Sequence, residues 1–96
     1  MTALWIAHVH VTDEEAYGRY AALATHAIAD HGGTFLARGG RHVQLEGNDR
    51  KRNVVARFDS VERAVECYQS AAYQEALSHA RDAAERDLVI VEEVAP

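Results

Sequence analysis

Two histidines, His8 and His10, alternate with valines in the run LWIAHVHV at residues 4–11. In an extended chain they fall on the same side, roughly 7 Å apart. At that spacing two imidazoles can share a cation with a third donor, or move protons on one substrate. Arg38 and Arg57 are single charges inside the apolar runs TFLAR and RNVVARF. A guanidinium in such surroundings needs a carboxylate or a bound anion to offset its desolvation, and Glu92 or Glu93 could serve internally. An imidazole base beside an arginine that holds a developing oxyanion is the equipment of cofactor-free acid–base chemistry. A metal would need a third ligand from Glu92, Glu93 or a second subunit. The plainer expectation is that both histidines are polar lining, with no metal and no cofactor.

Other motifs point away from chemistry. HGGTFLARGG, residues 31–40, has the glycine content of a phosphate loop. Its glycine pairs stand at opposite ends of a strand, however, and the first follows a helix, whose C-terminal dipole repels anions. His31, at that helix end, is favoured there as a cation. Cys67 has no histidine-plus-acid context and reads as a buried, inert thiol. Nucleophile-elbow, Walker and dinucleotide fingerprints are absent.

The chain of 96 residues suits one domain, residues 1–96, with one core. Its formal charge of −5 argues against nucleic-acid binding. The lone cysteine does not call for an oxidising compartment. The N-terminus lacks a basic leader pattern, and no apolar run reaches the ~20 residues a membrane span needs. A cytoplasmic protein with no membrane partner is expected.

Apolar periodicity supplies the elements that must position these residues. Residues 4–11 read as a strand, and Thr12 with Glu15 as a capping box. A helix over 13–31 buries Tyr17, Tyr20, Ala21, Ala24, Ile28 and His31 and stops at Gly32-Gly33. TFLAR is a second strand, Gly39-Gly40 a bend or bulge, and HVQLEG a continuation of the pairing. Residues 53–58 form the third strand, and Ser60 caps the next helix. Ser70 breaks that helix before a second segment, 71–86, and residues 88–94 close the chain as a strand. The order βαββαβ defines an α+β, ferredoxin-like arrangement, a four-stranded antiparallel sheet with two helices on one face.

Strand alternation then assigns the faces. The apolar sets (Trp5, Ala7, Val9, Val11; Phe35, Ala37; Val54, Ala56, Phe58) belong under the helices. The mixed sets place Leu4, Ile6, His8, His10, Leu36, Arg38, Val55 and Arg57 on the open face. A face this apolar is an interface; a homodimer through the open sheet faces is expected.

Five stretches in register, VTDEEAYGRY, HGGTFLARGG, LEG at 45–47, RNVVARF and SAAYQEALSHAR, resemble the uncharacterised family called domain of unknown function 1330. The resemblance spans essentially the whole chain and implies a small dimeric α+β barrel. It departs from the family pattern at Arg57, where an acidic residue is common, and at Ala71, where proline is common. Carried over as family-pattern positions are Asp13, Tyr17, His31, Tyr73 and Arg81; Arg52 also matches one. Related barrels include cofactor-free monooxygenases, small isomerases, haem-degrading proteins and ligand binders, an analogy of fold alone.

The expected function is therefore binding of a small anionic or carbonyl-bearing molecule. His8, His10 and His31 are the catalytic candidates, and Asp13, Tyr17, Arg38, Tyr73 and Arg81 the ligand contacts. The competing expectation is a non-enzymatic, structural or stress-related homodimer. An unpaired set of polar side chains around a cavity favours the first; complete internal pairing favours the second.

Overall fold

The computed structural model describes residues 1–96. In chain order the elements are β1 (Ala3–Val11), α1 (Glu14–Asp30), β2 (Thr34–Arg38), β3 (Arg52–Phe58), α2 (Val61–Gln69), α3 (Ala71–Ala80) and β4 (Ala84–Glu92). The strands form one antiparallel sheet in the order β2-β3-β1-β4. Ser70 divides the second helical stretch as its pattern requires. Its extended backbone ends α2, and its hydroxyl accepts from Tyr73 N to cap α3. The βαββαβ order, with all helices on one face, is the ferredoxin-like fold.

The core lies between that face and the helices. Trp5, Val9, Ala56, Phe58, Cys67 and Tyr73 are essentially inaccessible. Trp5 meets Phe58 and Tyr73 at centroid distances of 5.7 and 5.0 Å, in tilted and edge-on geometries suited to aromatic quadrupoles. Gly33 is obligatory for a packing reason, since a Cβ there would lie 2.5 Å from Ile28 Cγ2 and 2.8 Å from Phe58 Cζ.

Several boundaries differ from the sequence reading. Asp13, not Thr12, caps α1: Thr12 and Asp13 both give their N–H groups to the Ala83 carbonyl, which holds Thr12 outside the helix. HVQLEG does not continue the sheet. Gly39 turns the chain away at φ +70°, and Val43 and Leu45 are then exposed. The helical stretch expected to reach Arg86 ends at Ala80, because pairing of Val11 with Ala84 draws the chain into β4. β3 also begins one residue early, at Arg52.

The last difference is a bulge. Phe35 pairs with Ala56, but Ala37 pairs with Val55 and Arg38 with Val54, so Leu36 is the extra residue. One inserted residue reverses the faces beyond it. Arg38, expected on the open face, therefore lies on the helix face, and Ala37 takes the opposite side.

Candidate functional site

Register builds a cationic row on the helix face. Val9 of β1 pairs with Arg52 on one side and with Arg86 on the other. Arg38 and Ala7 belong to the adjacent row, through Val54. Small side chains leave space above them, Ala7 on the sheet and Ala21 and Ala24 on α1. The resulting recess is a small cavity of about 30 Å3 that opens to solvent. Its apolar wall includes Trp5, Ile28, Phe35 and Val54, and its charged lining is Arg38, Arg52 and Arg86 with no carboxylate.

Each guanidinium stacks on an aromatic ring. Arg38 Cζ lies 4.6 Å from the Phe35 centroid, Arg52 Cζ 5.7 Å from Tyr17 and Arg86 Cζ 4.7 Å from Tyr20. None of the three forms a salt bridge. Nε of Arg52 and Nε of Arg86 are buried without an acceptor. By contrast, Arg57 on the open face is held by Glu93 in two hydrogen bonds of 2.6 and 3.2 Å. That pairing holds the Arg57 pKa up and the Glu93 pKa below the ordinary carboxylate value.

Beneath the recess, Tyr20 Oη and Tyr73 Oη are 2.7 Å apart, and Arg86 Nη2 donates to both at 2.8 and 3.1 Å. Burial pushes both phenol pKa values up, with Arg86 opposing. Burial also opposes the Arg86 charge, but the surrounding tyrosines outweigh it and its pKa stands above the ordinary value. At neutral pH the cluster is thus two neutral phenols and a cation, able to donate and unable to act as a base.

The structure brings together Tyr17, Arg38 and, at the floor, Tyr73 from the expected set. Asp13 is spent on capping, accepting from Ala16 N at 3.1 Å. Arg81 is the exposed residue that closes α3 and does not line the recess. His31 is held by its own helix, Nδ1 lying 2.7 Å from the Ala27 carbonyl, and faces a separate groove beside α2. His8 and His10 are exposed on the open face, with His8 Nδ1 2.6 Å from Asn53 Oδ1. No three His, Cys, Asp or Glu side chains cluster with metal-binding geometry. Burial raises the Cys67 pKa to about 11, and its Sγ faces the Ala27 carbonyl at 3.7 Å.

The sequence reading missed Arg86 and Tyr20 as site residues and gave Arg52 only as a family-pattern position. A signal existed for both arginines. Arg52 shares the alternation of Val54, Ala56 and Phe58, and Arg86 that of Ala84, Leu88 and Ile90. Starting each strand earlier would have put both on the buried face.

The fold and this recess define a ferredoxin-like α+β protein. Over residues 2–94 the chain matches the family described as domain of unknown function (DUF1330), and it belongs to that family. No curated protein matches it. A solved structure of a protein of unknown function from Rhodopseudomonas palustris is similar at TM-score 0.79 and 22% identity, covering 99% of this chain and 84% of that one. A cofactor-independent oxygenase from Streptomyces nogalater superposes at TM-score 0.64 and 10% identity, covering 99% and 95%. A dimeric protein of unknown function and ferredoxin-like fold from Bacteroides fragilis gives TM-score 0.59 and 13% identity, covering 96% of each chain. No helix is long and apolar enough to cross a membrane.

Proposed function

We propose that this chain, one domain over residues 1–96, binds a small organic anion in the recess between α1 and the sheet. One observation carries the reading: three guanidinium groups converge on an apolar recess that holds no carboxylate, and two have a buried, acceptorless Nε. A partly desolvated cation without a counter-charge is costly, and a ligand carboxylate or enolate removes that cost while its apolar part fills the wall. The site is Arg/Tyr-lined, and no imidazole faces it, which favours binding over histidine-based catalysis. The oxygenase neighbour shares the fold at 10% identity and brings no substrate with it.

We also propose a homodimer through the open sheet face. Leu36, Val89 and Val91 are about half exposed there, next to Leu4, Ile6 and Val55, and neighbours of this fold are described as dimeric. A structural role has one observation in its favour, since Arg86 already has two phenol oxygens as partners.

Thermal shift and calorimetry with pentanoate, benzoate and inorganic phosphate distinguish the two readings. A ligand of the folded state raises Tm saturably. Arg52→Gln and Arg86→Gln are expected to weaken the response, and Arg81→Gln to leave it intact. If no anion raises Tm, or if all three variants respond like the parent, the structural reading stands.

A further inference from the structure

The phenol pair has one more proton to give than the protein accepts. Tyr20 and Tyr73 bring two O–H protons, and only one can lie in the 2.7 Å bond between them. Arg86, the other partner of both oxygens, has donors only. Neither phenol is bonded to a carboxylate or a backbone carbonyl. Tyr20 lines the recess and Tyr73 lies beneath it, fully buried. Either hydroxyl can donate in that bond, but a proton left over on the fully buried Tyr73 would have no acceptor. The arrangement of lower cost therefore has Tyr73 donating and leaves the spare proton on Tyr20, the residue that lines the recess. The acceptorless Nε of Arg86 adds a second unused donor nearby.

We propose that Tyr20, backed by Tyr73 and Arg86, is a receptor for a carbonyl oxygen, so that the ligand is an oxo acid and not a simple carboxylate. The proposal rests on the anion-binding reading above. Arg38 and Arg52 take the carboxylate, the apolar wall takes the carbon chain, and Tyr20 Oη donates to the ketone oxygen. A neutral acceptor suits this end better than a second carboxylate. The Arg86 charge is already shared between two phenol oxygens and stacked on the Tyr20 ring. A site built to donate a hydrogen bond discriminates against an analogue lacking the acceptor, because the buried donor is then left unpaired.

The test uses three matched probes: 4-oxopentanoate, pentanoate and pentanedioate. By calorimetry the parent protein should bind 4-oxopentanoate about tenfold or more tightly than pentanoate. Tyr20→Phe should abolish that preference, so that the oxo and saturated acids bind alike. Tyr73→Phe should retain it, since Tyr20 keeps its O–H. Equal binding of the oxo and saturated acids, or tightest binding of pentanedioate, overturns the oxo-acid proposal and leaves the anion site standing. Failure of all three probes to bind removes the anion site itself.

Discussion

Arg52 and Arg86 stand on either side of Val9 in a single row across the sheet, each beneath a tyrosine of α1. Strand spacing puts their backbones roughly 10 Å apart. Tyr17 and Tyr20, three residues apart on the helix, lie closer together above them, with 5.0 Å between ring centroids. The recess owes its charge to this double stack, and the arginines owe their placement to the register of β1 with both neighbours.

Arg86 is expected to be worth more than its charge. Replacing it by leucine strips the Tyr20 and Tyr73 oxygens of a shared charged donor, though it also ends the desolvation of a guanidinium. The net loss should be about 1–2 kcal/mol of unfolding free energy, measured by urea denaturation. A stability equal to the parent's would show that the two phenols do not need it.

The phenols also set an alkaline limit. In the folded chain Tyr20 and Tyr73 hold their protons above the ordinary value of 10.0, at which the unfolded chain releases them. Above about pH 10 the unfolded state binds fewer protons than the folded one, so stability falls as pH rises; below it, this contribution is fully present. Denaturation midpoints should be insensitive to these groups near neutrality and decline from pH 10 upward, less steeply in Tyr20→Phe. Tyrosinate absorbance assigned to Tyr20 and Tyr73, by difference from their Phe variants, should develop at higher pH in the folded protein than in the urea-unfolded chain.

Gly39 is a positioning residue for the site. A Cβ there would meet Arg52 Nη1 at 2.6 Å, and the backbone holds φ +70°. The side chain of Arg52 is flexible and can give way, so Gly39→Ala should still fold, losing about 1–2 kcal/mol from the left-handed backbone. Its anion response in thermal shift should fall with that of Arg52→Gln. An unchanged response would place Arg52 outside the site.

Val89 lies across from Ile6 on the open face and is 53% exposed. Val89→Glu puts charges into the apolar patch of both subunits of the proposed dimer. Light scattering should then report a mass near the 10.6 kDa of one chain, against twice that for the parent. A parent already at monomer mass would end the proposal.

Much of this fold was legible because local rules and global packing agree. Ser60 and Ser70 announce helix starts, Gly32-Gly33 a helix end, and the alternation through Trp5, Ala7 and Val9 a buried face. Those signals are read from neighbours a few residues apart, where backbone geometry alone relates side chains. The site was less legible because it depends on pairings between distant segments. The extra residue at Leu36 carries Arg38 through to the helix face, a reversal that the alternating pattern of TFLAR does not announce. Tyr20 reaches Tyr73 across 53 residues of chain. Arg52 and Arg86 carry the right alternation in their own strands, but only the register of three strands makes them neighbours of one recess. By itself the sequence determined which segments are strands and helices and which faces are apolar, since these follow from local periodicity. The tertiary structure alone decided which charges share a cavity without a counter-charge, since strand register and one bulge set distances that no local pattern encodes.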